Sequence, residues 1–356
     1  MKVAVGMSGG VDSSVAAWLL KKEGHDVIGI TMALWDGDDS IPVRKHACYG
    51  PGEKEDVLSA QEFCHRIGIP FHVFDCSKEY KETVLSYFKN EYSAGRTPNP
   101  CVKCNHSMKF GLLLSKARQS GLSFDTFATG HYARISRDAR QVLRRGKDLK
   151  KDQSYFLYRL SQQQLAGTIF PLGNMTKDEV RKIAGENNFP AADIQESQDF
   201  YCGDHTELLG IQPRQGVIID KDGKALGHHS GTWNYTPGQR KGLGISNPVP
   251  LYVISTDAEK NTVTAGTKEE TLSSSISIAD LNWIAIEGLS TPLNLSVKIR
   301  SSSKDAAGVL ENMPDGKVKI TFDSPQSAAA PGQSAVFYNG DIVVGGGVID
   351  KIMKAE

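Results

Sequence analysis

The chain has 356 residues, with 41 Lys and Arg against 41 Asp and Glu, so its formal net charge is zero. That balance excludes a polycationic binder whose charge excess alone drives it onto nucleic acid, though not a local basic stripe. With 39% hydrophobic and 23% charged residues the composition is that of a folded protein, and the length suits two or three domains.

The start, MKVAVGMSGG, lacks a basic stretch followed by a long apolar run, so no signal peptide is read. No apolar run of about 18 residues occurs, so no membrane partner is expected and the location reads as cytoplasmic. Val3–Met7 reads as a short strand ending in a Ser/Gly turn. Ser13–Lys22 has helical spacing at Val15, Trp18 and Leu19, with Gly24 as its stop. Val27–Met32, Phe71–Phe74 and Phe124–Thr129 read as strands, and Glu55–Ile67 and Tyr80–Tyr92 as helices. This alternation predicts an α/β fold with a doubly wound parallel sheet. Ligands of such sheets sit beyond the carboxyl ends of the strands, where Ser8-Gly9-Gly10 and Gly130-His131 fall.

After Asp199 the texture changes to short apolar runs separated by turns. The runs are Gly216–Ile219, Tyr252–Ser255, Val263–Ala265, Val297–Ile299, Val318–Phe322, Ala335–Tyr338 and Val343–Val348. Turn signals such as Lys221-Asp222-Gly223 and Asn339-Gly340 lie between them. The pattern predicts small antiparallel barrels or sandwiches, with breaks near 205–212 and 270–280. Asp323–Ala330, small and polar, is expected to be a loop.

Three segments carry chemistry. Ser8-Gly9-Gly10-Val11-Asp12-Ser13-Ser14 follows a strand and opens a helix. Its glycines let the backbone approach a ligand, and the free amides at the helix start face a phosphate. The plain alternative is a tight turn capped by Asp12 or Ser13. No Gly-Lys-Ser/Thr follows, so this is not a Walker A loop.

The second segment is Gly95-Arg96-Thr97-Pro98-Asn99-Pro100-Cys101-Val102-Lys103-Cys104-Asn105. Its Cys-x-x-Cys places two sulfurs within reach of one metal or of each other, or else marks two buried thiols. No second Cys-x-x-Cys completes a zinc site, and Cys202 is the natural third sulfur. Three thiolates can hold an iron–sulfur cluster with one open iron, or provide a persulfide and a resolving thiol. Cys48, Cys64 and Cys76 are expected to pack as small apolar residues or to sit free.

The third segment, Arg134–Lys151, holds eight Lys and Arg against Asp138 and Asp148, a net of +6. A solvated loop is the usual fate of such a run. Here it directly follows Gly130-His131 in a chain of zero net charge, which favours a polyanion near the nucleotide site. Lys151-Asp152-Gln153-Ser154-Tyr155-Phe156 then offers polar and stacking groups to a base.

The Ser-Gly-Gly-Val-Asp-Ser segment resembles the PP-loop of ATP pyrophosphatases. The blocks MSGGVDSS, GRTPNPCVKCN…KFG, ATGHYAR, KDQSYFLYRL, PLGNMTKDEVRKIA, ESQD and YTPGQRKGLGI together resemble the tRNA-specific 2-thiouridylases, the MnmA/TrmU family. The resemblance implies a PP-loop catalytic domain over 1–205, a small central β domain over 206–275 and a C-terminal β-barrel over 276–356. It implies replacement of the C2 oxygen of the wobble uridine of tRNA by sulfur, with ATP consumed and a sulfur-donor protein as partner; DNA is not an expected partner. It puts ATP on Gly6, Met7, Ser8, Gly9, Gly10, Val11, Asp12 and Ser13, on Met32 and on Gly130, with Asp12 holding Mg2+. Asn99, Pro100, Cys101 and His131 would meet the target base, Cys104 matches the nucleophile, and Lys151, Asp152, Gln153, Arg300 and Asn339 match tRNA contacts. Many members have Asp where this chain has Cys101, and Gln where it has Asn339. Cys202 stands three residues after Asp199 rather than two, with Tyr201 in the expected place.

The chemistry needs adenylation because a uracil C2 carbonyl is a poor electrophile; transfer of AMP to its oxygen creates a leaving group. Sulfur then arrives by one of two routes. In one, Cys202 carries a persulfide that Cys104 resolves. In the other, Cys101, Cys104 and Cys202 ligate a 4Fe-4S cluster whose open iron presents hydrosulfide. The alternatives are a PP-loop ligase of small molecules, which leaves Cys-x-x-Cys and the basic segment unexplained, and a non-catalytic sulfur or cluster carrier that binds tRNA.

Overall fold

A computed structural model describes residues 1–37, 47–137, 139–189, 199–201 and 205–353. The chain forms two compact units, the first made of 1–84, 100–203 and 341–343, the second of 85–99, 204–340 and 344–356.

In chain order the first unit has strands β1 (Lys2–Gly6), β2 (Asp26–Ala33), β3 (Ala47–Tyr49), β4 (Phe71–Asp75), β5 (Thr126–Thr129), β6 (Ala133–Arg137), β7 (Gln141–Arg145), β8 (Thr168–Ile169) and β9 (Asp199–Tyr201). Five of them form a parallel sheet in the order β4-β2-β1-β5-β8. Val3, Ala4 and Val5 have no exposed surface, as a continuous apolar strand covered on both faces requires. The helix Val11–Lys22 buries Val15, Ala16, Ala17 and Leu20 in the same core as Val180 and Ala184 of the helix Lys177–Glu186. Strand order reverses at β1, whose neighbours are β2 and β5, so the crevice for a ligand opens where Gly6 lies opposite Thr129.

The predicted parallel strands and the first two helices are present, with ends within two residues of those expected. The region expected as one helix over Tyr80–Tyr92 is broken instead. It runs as an α-turn at Ser77–Tyr80, a π-helix at Lys81–Leu85 and a helix at Ser86–Ser93. A π-segment rotates the faces that follow it, which a 3.6-residue period does not reveal. The basic run is not a loop: β6 and β7 form an antiparallel hairpin, with Leu143 fully buried on its inner face.

The second unit has strands β10 (Gly216–Ile219), β11 (Ala225–His229), β12 (Tyr252–Asp257) and β13 (Thr262–Gly266) in the order β11-β10-β13-β12, around Ile218, Val253, Val263 and Ala265. β10 and β13 pair in parallel, against the all-antiparallel expectation. Then β14 (Leu272–Trp283), β15 (Leu293–Lys298), β16 (Ala306–Asn312), β17 (Val318–Ser327), β18 (Ser334–Asn339) and β19 (Ile342–Met353) run in the order β14-β17-β16-β15-β18-β19, and β14 pairs with β19 to close a barrel. The expected loop at Asp323–Ala330 is strand as far as Ser327. Leu272 and Ser273 pair with Ser327 and Gln326 across a register shift, and this stretch of β17 is largely exposed, which explains its polar composition. Among the described residues no helix is long and apolar enough to cross a membrane.

Candidate functional site

The loop after β1 lies at the reversal of the sheet. Gly9 has φ +75°, and a Cβ there would come within 2.5 Å of the Asp56 carbonyl oxygen, so both conformation and space require glycine. The helix Val11–Lys22 starts from Gly10, and no side chain caps it. The plain reading of a turn capped by Asp12 or Ser13 is therefore wrong. Ser13 Oγ instead donates to the Gly10 carbonyl at 3.0 Å and accepts from the Ser8 amide at 3.2 Å, which shapes the loop from within. Gly130, after β5, abuts the same turn: a Cβ there would lie 2.7 Å from the Asp12 carbonyl carbon and 2.8 Å from the Ser13 nitrogen. Met32, buried at the end of β2, completes the set around the β1 terminus, where Thr31 Oγ1 donates to the Met7 carbonyl at 2.7 Å.

Asp12 does not cap the helix start. Its carboxylate accepts from Lys177 Nζ at 2.8 Å on each oxygen and from the Tyr132 hydroxyl at 2.8 Å on Oδ1. As a donor for Mg2+, one carboxylate beside a polyphosphate suits the ion's habit of taking few protein ligands and several phosphate or water oxygens. In this structure, however, both oxygens are engaged by the protein.

Cys101 and Cys104 lie on a short helix, Pro100–Cys104, that passes into a π-helix at Asn105–Leu112. Both thiols are partly buried. Burial pushes the Cys104 thiol up to about 11, against an opposing pull from Lys109. Burial weakens the Lys109 ammonium, but Cys104, Cys48 and Cys101 together hold it above its ordinary range. Lys109 is five residues after Cys104, and a π-turn of about 4.4 residues returns it towards the same face, where an α-helix would turn it away. Cys48, exposed on β3, sits free as expected, within electrostatic reach of Cys104 and Lys109. Cys64 and Cys76 do pack as fully buried thiols. Cys202 follows Tyr201 in sequence and lies outside the described residues. Among the described residues no three His, Cys, Asp or Glu side chains are placed to hold a metal ion.

His131 sits at the end of β5, its Nδ1 2.7 Å from Thr129 Oγ1 and its ring beside Phe110 and Phe170. Burial, then Lys109, drives its pKa down to about 3, so it is a neutral imidazole.

Compared with known proteins, residues 1–202 match the tRNA methyl transferase HUP domain family, 209–267 its PRC-barrel domain and 273–349 an aminomethyltransferase beta-barrel domain. The tRNA-specific 2-thiouridylase MnmA of Endomicrobium trichonymphae is 48% identical over 98% of this chain and 99% of that protein. That of Acetivibrio thermocellus is 43% identical over 98% and 99%. The chain belongs to the tRNA-specific 2-thiouridylase family. The loop, the paired thiols and His131 stand together in one compact unit.

The residues read as tRNA contacts of the family divide. The Asp152 side chain is 4% exposed and accepts from the Gly146 and Ser154 amides and the Ser154 hydroxyl, so its carboxylate shapes the turn. Gln153 exchanges hydrogen bonds with Tyr132: its amide donates to the Tyr132 carbonyl at 2.9 Å, and its Oε1 accepts from the Tyr132 amide at 3.0 Å. Lys151 is half-buried beside them. In the second unit Asn99 is buried, with its amide donating to Tyr87 Oη at 3.1 Å. Arg300 is held on the Pro237 carbonyl at 2.5 Å. Asn339 is exposed at the end of β18, before the left-handed turn at Gly340. Sequence reading missed Lys177, Tyr132, Lys109 and Cys48. Lys177, Tyr132 and Lys109 sit inside blocks quoted above and Cys48 in none, and only folding brings them near Asp12 or Cys104.

Proposed function

We propose that this chain makes 2-thiouridine at the wobble position of tRNA, as an ATP-dependent sulfurtransferase. The observation that carries this reading is the combination of near-full-length family identity with an uncapped glycine loop at the sheet's reversal and a pair of thiols in the same unit. The loop amides and the helix start would take the polyphosphate of ATP. The C2 oxygen of the uridine attacks the α-phosphorus, and pyrophosphate leaves with the electrons of the broken P–O bond. Asp12 with phosphate oxygens would hold Mg2+, whose charge offsets that of the leaving group. A persulfide on Cys202, loaded by a donor protein, then attacks C2, and AMP leaves carrying the former carbonyl oxygen. The Cys104 thiolate attacks the Cys202 sulfur of the remaining S–S bond, leaving sulfur on C2 and a Cys104–Cys202 disulfide that a reductant must reopen. The Lys109 ammonium beside Cys104 favours the thiolate this step needs, against a burial that opposes it. The base must leave the anticodon stack to reach these groups.

The test is AMP release from ATP with and without tRNA, followed by mass analysis of the tRNA nucleosides. Release stimulated by tRNA, with 2-thiouridine formed, is the expected result; AMP release indifferent to tRNA contradicts it. Iron and sulfide analysis of anaerobically purified protein separates the routes: an iron-free protein that still thiolates tRNA with a persulfide donor fixes the thiol route, whereas iron-dependent activity requires the cluster on Cys101, Cys104 and Cys202.

A further inference from the structure

We propose that Lys177 is a positioning residue of the nucleotide site, supplying the fixed cation that the glycine loop lacks. The inference rests on the reading that this loop takes the polyphosphate of ATP. Between Gly6 and Ser14 the loop has no Lys or Arg, and a polyphosphate set on glycine amides alone lacks the point charge that a Walker-type lysine provides.

The fold brings one from 165 residues away. Lys177 is only 4% exposed, and its ammonium contacts both Asp12 oxygens at 2.8 Å. A lysine kept for its aliphatic stem sends its head to water. Here the head is turned inward to a carboxylate that is itself 27% exposed. A buried ammonium is costly unless paired, so the arrangement persists only because the pair is well made.

The ammonium is held from both ends. Lys177 is the first residue of its helix, and the preceding Thr176 forms a capping box with Glu179. The Lys177 amide donates to Asp148 Oδ2 at 3.1 Å. On the far side, the Tyr132 hydroxyl fixes Asp12 Oδ1, and the Tyr132 ring lies 5.8 Å from the ammonium. The Lys177–Asp12 ion pair carries no net charge, so Asp12 does not repel an incoming polyanion. When phosphates and their metal engage Asp12, the ammonium remains as a fixed positive charge beside them.

The test uses inorganic pyrophosphate as probe, by calorimetry in excess chelator, where no metal can mask the effect. Lys177→Met is expected to weaken pyrophosphate binding at least about tenfold, as loss of one close charge in a partly buried site requires. Lys177→Arg is expected to retain most of it. Unchanged affinity in Lys177→Met overturns the proposal. If Lys177→Met does not fold, the double variant Asp12→Asn/Lys177→Met carries the test, because it leaves no unpaired buried ion. Weaker binding than wild type supports the proposal, and wild-type affinity overturns it. A purely structural lysine would lower Tm without moving the affinity measured well below Tm. The tRNA-stimulated AMP release of the unaltered protein reports separately on the underlying reading. If that release fails while the pyrophosphate results hold, the nucleotide site stands and the tRNA chemistry does not.

Discussion

His131 shows how burial sets the working state of a single residue. Its folded pKa is driven down to about 3 by burial and then by Lys109, whereas an unfolded histidine titrates near 6.5. Between those values the unfolded chain binds the extra proton, so stability falls as pH drops below about 6.5. His131→Gln removes that part of the acid sensitivity. The loss of Tm between about pH 7.5 and about pH 5.5 is therefore expected to be smaller in the variant than in wild type, and equal losses would contradict the assignment. The cysteines differ for the same reason. Burial pushes Cys64 up to about 12 and Cys76 and Cys104 to about 11, whereas Cys48 is exposed. Brief treatment with iodoacetamide near neutral pH should label Cys48 ahead of these three in peptide mass spectra, since only thiolates in reach of solvent react. Early labelling of Cys104 would place it in a more open site than its burial allows.

At the scale of elements, the start of the helix Lys177–Glu186 does two jobs. Its capping box fixes the first turn, and that turn carries the lysine on Asp12. Thr176→Ala is expected to cost about 1 kcal/mol through loss of the cap. In a unit of this size the cost is a drop of about 2–4 °C in Tm, with metal-free pyrophosphate binding weakened in parallel. A Tm change without any change in binding would separate the cap from the site. The β6–β7 hairpin illustrates what patterning hides. Its strands carry Arg134, Arg137, Arg144 and Arg145, and a charge at nearly every second position reads as a solvated loop. The structure makes it regular by ending Arg134 and Arg144 on one carboxylate, Asp341, at 2.9 Å each. That partner is some 200 residues distant in sequence, beyond the reach of any local pattern.

Across the whole molecule, the apolar runs of β1, β2 and β5 revealed the parallel sheet because buried strands leave a continuous signal, and the turn-spaced runs after Asp199 revealed the β modules in the same way. The loop at Gly9 and Gly10 was legible because its chemistry is written in adjacent residues. Lys177 was not, because its meeting with Asp12 depends on two helices packing in one core. The basic segment was legible as charge but not as available charge. Arg134 and Arg144 pair with Asp341, Arg145 with Asp152 and Lys147 with Glu179, and these three carboxylates halve the excess of +6 counted in sequence. The turn after the hairpin carries Lys150, exposed, and Lys151, half-buried, and we propose that it takes part of the phosphate contact. Each phosphate neutralised on a nucleic acid contributes about 0.7–0.9 to the slope of log K against log salt. Lys150→Gln with Lys151→Gln is therefore expected to reduce the slope for tRNA binding by about 1–2, measured by filter binding or fluorescence across a salt series. Neutralising Arg134 and Arg144 together should reduce it less and lower Tm more, because their charge already serves Asp341. An unchanged slope in the lysine pair would put the tRNA phosphates on another surface, and the zero net charge of the chain would then conceal a different basic patch.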